Sequence, residues 1–408
     1  MSAVNSLVDH LFRHESGRIT AALTRALGAR NLALAEEATE EALIRAMQTW
    51  PFRGIPSEPA AWLHRAARNY ARDQLRRLSS WQTKEPAVQQ FLAAQGPGAA
   101  AEPGIDDTLA MMLLCCHPAI SADSRAALTL KTVSGFSTRE IASAFLTAEE
   151  TVAQRIVRAK RFIRDEGLQL ELPEGAELAA RIDSVCEVLY LLFNEGYFAS
   201  HGVDALRRDL CEEAVRLLQC VLATGHMTPD RWALAALFHL HLARFEARRN
   251  DGGQLLGFDQ IQSATYDQTQ LRLADGALRE AMRAELPSAW HVEAAIASAH
   301  CESRRDWRHI LTLYDALLQL KPSPLIRLNR AVALCGAERR SEALAELNAL
   351  ENAEGLRDYS LLPATQARLH EEAGNMDEAR RAYQRALACA MSDPAREFIE
   401  RRFAKTIS

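Results

Sequence analysis

The chain has 408 residues, of which 48% are hydrophobic and 25% are charged, and its formal net charge is −5. This length can bury the cores of about two or three domains. The negative balance excludes a generally basic nucleic-acid coat protein, so any DNA contact must come from local basic patches. The N-terminus lacks an apolar signal-peptide core, and no run of about 18 apolar residues occurs. We therefore expect a soluble cytoplasmic protein.

The first 78 residues show helical periodicity. Apolar side chains recur at helical intervals before Gly28, which is expected to end the first helix: Leu7, Leu11, Ile19, Leu23 and Leu27. A second helix is predicted at residues 35–50, with carboxylates crowded into its first turns: Glu36, Glu37, Glu40 and Glu41. These carboxylates either stabilise the helix through its dipole or form a patch for a basic partner.

A third helix is predicted at residues 61–77, after a proline-marked loop at residues 51–59. It mixes Trp62 and Tyr70 with five arginines: Arg65, Arg68, Arg72, Arg76 and Arg77. Aromatic rings and guanidinium groups together suit single-stranded DNA, because bases stack on the rings while the charges follow the phosphates. The two aromatic side chains could equally belong to the core.

Residues 79–105 are rich in Ala, Gly, Gln and Pro, which predicts a flexible linker with a short helix near residues 88–94. Two helix starts then lie close together: Ser137 with Glu140 and Thr147 with Glu150 each match a capping box. Apolar stripes follow both starts: Ile141, Ala142 and Phe145, then Val152, Ile156, Ala159 and Ile163. With only Leu146 and Thr147 between them, the helices must cross steeply. This pattern predicts a helix-turn-helix.

The outer face of the second of these helices is basic. It carries Arg155, Arg158, Lys160, Arg161 and Arg164, with small polar residues at its leading end. Such a helix can read bases and hold phosphates in a DNA major groove. The alternative is a solvated charged face on an ordinary helical hairpin.

The C-terminal half follows a hinge predicted at residues 168–178 and is again helical. Ser298, Ala331 and Ala367 recur at similar spacing, and Ile310, Ala343 and Ala379 follow them at a constant interval. Small side chains that let paired helices approach are typical of tetratricopeptide repeats. A generic array of helical hairpins is the alternative.

The order of acidic helix, arginine/aromatic helix, linker and helix-turn-helix resembles an extracytoplasmic-function sigma factor of bacterial RNA polymerase. The resemblance is carried by AEEATEEALIRA, AWLHRAARNYARDQLRR, GFSTREIASAF and TAEETVAQRIVRAKRFIR. The chain departs from the family by having Glu40 and Glu41 where members often have Gln-Glu or Gln-Asp. Its loop at residues 51–60 is also short of aromatic side chains.

The resemblance implies an all-α fold with two small modules that bind polymerase and DNA, followed by a helical-repeat domain. It implies contacts with the polymerase β′ clamp by Glu37, Glu40 and Glu41. It places four residues at the melted −10 element and four in the −35 major groove: Arg65, Arg68, Asn69 and Arg72, then Thr151, Gln154, Arg155 and Arg158. Core RNA polymerase, through its β′ clamp and β flap, and promoter DNA are the implied partners, without enzymatic chemistry, cofactor or metal.

The expected domains are a region 2-like domain at residues 1–78, a linker at 79–105, a region 4-like domain at 106–167 and a regulatory repeat domain at 176–408. The groove of the repeat domain could take a protein or peptide partner. Two other functions are compatible with the sequence. One is a one-component helix-turn-helix regulator with a repeat sensor, and the other is a repeat scaffold whose N-terminal half only resembles a DNA binder.

Overall fold

The computed structural model describes residues 2–79, 86–93, 105–145, 147–197, 208–248, 250, 254–256, 260–261, 263–353, 356, 359–389, 391 and 393–407. The described residues form α-helices and contain no β-strand, which confirms the predicted all-α fold. Two compact units are present, one of residues 1–192 and 216–226 and the other of residues 193–215 and 227–408.

The first ten helices are α1 (Ser2–Leu27), α2 (Leu32–Arg53), α3 (Pro59–Ser79), α4 (Pro86–Ala93), α5 (Ile105–Cys115), α6 (Ala122–Thr132), α7 (Thr138–Ala144), α8 (Glu149–Asp165), α9 (Gly175–Tyr197) and α10 (Arg208–Leu222). Those that follow are α11 (Pro229–Ala243), α12 (Gln268–Ala281), α13 (Ala289–Cys301), α14 (Trp307–Leu320), α15 (Pro324–Gly336), α16 (Arg340–Ala349), α17 (Leu361–Glu372), α18 (Met376–Ala388) and α19 (Asp393–Lys405).

The first three helices pack around one apolar core. It includes the predicted stripe residues Ile19, Leu23 and Leu27, and Gly28 ends α1 with a φ of 84°. Helix α4 adds Val88 and Phe91 to this core. The predicted short helix in the linker is therefore present, while residues 80–85 and 94–104 of the predicted linker lie outside the described residues.

The loop predicted at residues 51–59 is shorter than expected, because α2 continues through Pro51 to Arg53. Proline costs a helix one hydrogen bond. The helix persists because Trp50 is buried against the edge of Trp62, with ring centroids 5.5 Å apart. Gly54 then closes the last turn by donating its N–H to the Trp50 carbonyl at 3.0 Å. Trp62 thus packs partly into the core.

The helix-turn-helix is formed by α7 and α8. At the N-terminus of α7 the Glu140 N–H donates to Ser137 Oγ and the Ser137 N–H donates to Glu140 Oε2, which confirms the first predicted capping box. The second predicted box is wrong, because α8 begins at Glu149 with Ala148 as its N-cap and has no side-chain cap. The Thr147 N–H is bonded to the Ala142 carbonyl at 3.1 Å, so Thr147 closes the preceding turn and does not cap α8. Leu146 lies outside the described residues.

The second unit contains successive helices that pack in pairs, α13 with α14, α15 with α16 and α17 with α18. Of the small residues in the repeat pattern, Ala331, Ala343, Ala367 and Ala379 are fully buried, whereas Ser298 is half-buried. Their size lets the paired helices approach closely.

The start of α9 belongs to the first unit. Ile182, Val185 and Cys186 are buried, and Arg125 of α6 donates to Ser184 Oγ at 2.7 Å. The first compact unit therefore extends past residue 176, where the repeat domain was expected to begin. The four predicted domain ranges stay predictions.

Two glycines of the second unit lead to opposite predictions for stability. A Cβ on Gly336 would lie 2.2 Å from Cδ2 of Trp307, whereas a Cβ on Gly276, inside α12, would meet nothing within 4 Å. We expect Gly336→Ala to lower the free energy of unfolding by about 1–3 kcal/mol through overpacking. Gly276→Ala is expected to raise it by about 0.5–1 kcal/mol, because alanine favours the helix. Urea denaturation followed by circular dichroism measures both, and equal midpoints for the two variants would contradict this packing.

Candidate functional site

The three carboxylates predicted to meet polymerase lie on α2 and have different neighbours. Glu37 is exposed and accepts a hydrogen bond from the Tyr70 hydroxyl of α3 at 2.6 Å, which raises the pKa of Tyr70. Glu41 pairs with Arg45 one turn later, at 2.9 Å. Glu40 pairs with Lys131 of α6, at 2.8 Å. Glu37 and Glu41 therefore remain at the surface of α1–α3, while Glu40 faces the helix-turn-helix module.

Glu36 has a role that the sequence interpretation missed. It is 9% exposed, accepts a hydrogen bond from Thr132 Oγ1 at 2.6 Å, and forms an ion pair with Lys160 of α8. The sequence pattern could have identified it as buried. Glu36 lies at helical spacing from Leu32, Thr39 and Leu43, which are all buried on α2. Position on the inward stripe marks Glu36 as a buried charge that needs a partner.

The four residues predicted at the −10 element share one face of α3. Arg65 and Asn69 are exposed, whereas Arg68 and Arg72 are half-buried. The Arg68 guanidinium lies 5.4 Å from the centroid of the Phe91 ring on α4. This cation–π contact holds Arg68 against the module, so Arg65 and Asn69 are the members most open to a ligand.

The four residues predicted at the −35 element share the outer face of α8. Gln154 and Arg158 are exposed, and Thr151 and Arg155 are half-buried. The opposite face is buried as predicted, by Val152, Ile156, Ala159 and Ile163. The helix therefore presents a polar and basic surface beside an apolar anchor, which is the arrangement that a recognition helix requires.

Arg155 has an acidic neighbour that lies outside the helix-turn-helix sequence. Its Nη2 lies 2.8 Å from Oδ2 of Asp123 at the start of α6. An exposed ion pair of this kind is worth only about 0.2–1 kcal/mol. It orients the guanidinium without locking it.

Other candidate sites are not supported. In the part of the chain that the structure describes, no group of three or more His, Cys, Asp or Glu side chains is arranged to hold a metal ion. Cys115 and Cys116 are buried, and burial raises the pKa of the Cys116 thiol to about 11. Among the described residues, no helix has the length and apolar character needed to cross a bilayer.

Three family descriptions match separate parts of the chain. Residues 11–81 match Sigma-70 region 2, residues 110–163 match Sigma-70, region 4, and residues 181–282 match a family of unknown function. The first two contain α2, α3 and the helix-turn-helix.

Two relatives show similarity over different lengths. An uncharacterized protein of Rhizobium meliloti (strain 1021) is 36% identical over 389 residues, 91% of each chain. The probable RNA polymerase sigma factor RfaY of Xanthomonas campestris pv. campestris is 30% identical over 144 residues, 34% of this chain and 36% of its own. No solved structure matches. With region 2 and region 4 both present and in this order, the chain belongs to the sigma-70 family of RNA polymerase sigma factors.

Proposed function

We propose that the chain is a sigma factor of the extracytoplasmic-function type, which binds core RNA polymerase and directs it to promoters with −10 and −35 elements. The observation that carries this proposal is the presence of two surfaces in the regions matched to region 2 and region 4: the exposed face of α3 and the outer face of α8. In this role the chain is an initiation factor without a catalytic centre of its own, and it would work in the cytoplasm with polymerase.

Each helix is assigned a binding partner that matches the chemistry of its side chains. Glu37, Glu40 and Glu41 offer carboxylates to basic helices of the β′ clamp, and the region 4 module would contact the β flap. Arg65, Arg68, Asn69 and Arg72 would hold the melted −10 strand, since arginines can pair with phosphates and stack on bases. Thr151, Gln154, Arg155 and Arg158 would enter the −35 major groove.

The second unit is proposed to be a regulatory array of tetratricopeptide type. The buried alanines of its helix pairs support this interpretation. A polar groove of about 840 Å³ lies along α16–α18 and is lined by Glu351, Gln366, Arg381 and Arg385, among others. Gln366 is fixed there, donating to Asn348 at 2.9 Å and accepting from Arg385 at 2.9 Å. An ordered set of amide and charged groups is suited to a peptide partner.

Run-off transcription with purified core polymerase and the full chain tests this function. We expect a transcript only when polymerase and the chain are both present. A DNA mobility shift without polymerase, together with no transcript on any cognate upstream region, would instead indicate a one-component regulator. Arg381→Glu in the same assay tests the groove. A transcript level equal to that of the parent chain would contradict a regulatory contact there.

A further inference from the structure

Tyr70 is an aromatic side chain of α3 that lies away from the face carrying Arg65 and Asn69. It follows Asn69 directly, so its side chain leaves the helix about 100° further round. Its hydroxyl donates to Oε1 of Glu37 on α2 at 2.6 Å. The guanidinium of Arg45, also on α2, lies 5.7 Å from the centroid of the Tyr70 ring. Both contacts hold Tyr70 against α2 and its carboxylates.

The Tyr70 ring is fixed by two kinds of contact. It is half-buried and packs against the apolar core of α1–α3. The Arg45 cation is attracted to the ring, and Arg45 is itself paired with Glu41 at 2.9 Å. A tyrosine side chain has only two χ angles, so a fixed ring also fixes the direction of its hydroxyl.

The proton of the Tyr70–Glu37 hydrogen bond stays on the tyrosine. The hydrogen bond to Glu37, burial and the negative charge of Glu37 all raise the pKa of Tyr70, because deprotonation would set a phenolate beside the carboxylate. A neutral donor therefore orients Glu37 without cancelling its charge. Oε1 is engaged, and a carboxylate can accept a further donor through Oε2.

Glu37 differs in this respect from the other two carboxylates proposed to meet polymerase. Glu40 pairs with the cation of Lys131, and Glu41 pairs with the cation of Arg45. Glu37 is exposed, and the partner that orients it is uncharged. Of the three, Glu37 thus offers an oriented carboxylate whose charge is not already balanced by a neighbouring cation.

We infer that Tyr70 is a positioning residue for the polymerase contact, and that its hydroxyl holds Glu37 in the orientation that meets a basic group of core polymerase. The inference rests on the proposed function. A side chain that is ordered before binding loses less conformational entropy on association, which is worth about two- to tenfold in affinity. Glu37 keeps its charge with or without the hydroxyl, so Tyr70 should prolong the complex without changing electrostatic steering.

The hydrogen bond is measured first on the full chain without polymerase. Isotopically labelled tyrosine gives NMR signals that titrate with pH, and the Tyr70 signal is the one lost in Tyr70→Phe. We expect the pKa of Tyr70 to lie above the ordinary tyrosine value in the parent chain and to fall in Glu37→Ala. An equal pKa in both chains would overturn the inference, because the hydrogen bond would then be absent in solution.

Binding kinetics with core polymerase test the positioning role. Tyr70→Phe keeps the ring and removes only the hydroxyl. We expect its affinity to fall by about two- to tenfold, with an unchanged association rate and faster dissociation. Tyr359→Phe removes a hydroxyl from a half-buried tyrosine of the second unit and is the matched control. Circular dichroism verifies that each variant is folded.

A double-mutant cycle separates positioning from direct contact. In a chain that already carries Glu37→Ala, Tyr70→Phe should have no further effect, because the hydroxyl has no carboxylate left to orient. An equal loss in both backgrounds would show that the hydroxyl itself touches polymerase or DNA, and would overturn the inference. An affinity of Tyr70→Phe equal to that of the parent chain would also overturn it. A parent chain that binds no polymerase would refute the proposed function and the positioning role together, while the NMR titration would still report the hydrogen bond.

Discussion

Reversal of Glu37 and Glu41 to lysine is expected to lower the affinity for core polymerase by about 100-fold or more. Truncating one partner of a close interfacial charge pair costs about 2–5 kcal/mol, and reversal adds repulsion. At about 1.4 kcal/mol per factor of ten, two such changes exceed a 100-fold loss. These two carboxylates pair with Tyr70 and Arg45, and it is Glu36 and Glu40 that pair with α6 and α8, so those contacts should persist.

The fold should also persist in this double variant. Glu37 accepts one hydrogen bond from Tyr70, and Glu41 pairs with Arg45 on its own helix. Pairs at such exposed positions contribute about 0.2–1 kcal/mol. Fluorescence anisotropy of the labelled full chain against core polymerase measures the effect. Glu171→Lys with Glu174→Lys changes the charge equally at exposed positions outside α2 and is the matched control. An unchanged affinity in the α2 variant would remove these carboxylates from the interface.

Replacement of Arg155 by alanine should reduce discrimination at one −35 base position. A good bidentate contact to a base edge is worth about 1–3 kcal/mol of discrimination. We therefore expect Arg155→Ala to weaken binding to the matched −35 element while changing binding to a mismatch at that position much less. Asp123 orients Arg155 from α6, so Asp123→Asn should reduce the same discrimination by a smaller factor.

Arg164→Ala is the matched comparison, since Arg164 lies on the last turn of α8 and is well exposed. A phosphate contact there would weaken binding to all sequences alike and reduce the salt slope by about one. Binding is measured as a salt titration on matched and mismatched −35 duplexes with the reconstituted holoenzyme. Equal losses on both duplexes in Arg155→Ala would make α8 a phosphate clamp instead of a base reader.

Local sequence determined the helices and the helix-turn-helix. Stripes at spacings of three and four residues predicted the buried faces of α1 and α8, because a helix repeats every 3.6 residues whatever surrounds it. Ser137 and Glu140 form their capping box within a single turn. Thr147 and Glu150 carry the same motif without forming the cap, because the Thr147 N–H is bonded to Ala142. The same capping motif therefore forms at one helix start and not at the other. The difference lies in the hydrogen bonds of the preceding turn.

Tertiary structure alone decided which charges are available to a partner. The sequence shows Glu36, Glu37, Glu40 and Glu41 as one acidic cluster. Packing divides it, since α6 and α8 bury Glu36 and engage Glu40 while leaving the other two at the surface. The pairs Lys160–Glu36 and Arg155–Asp123 join residues far apart in the chain, and no periodicity encodes such contacts. Their formation depends on how closely whole helices approach, which at Gly17 is set by the absence of a single Cβ.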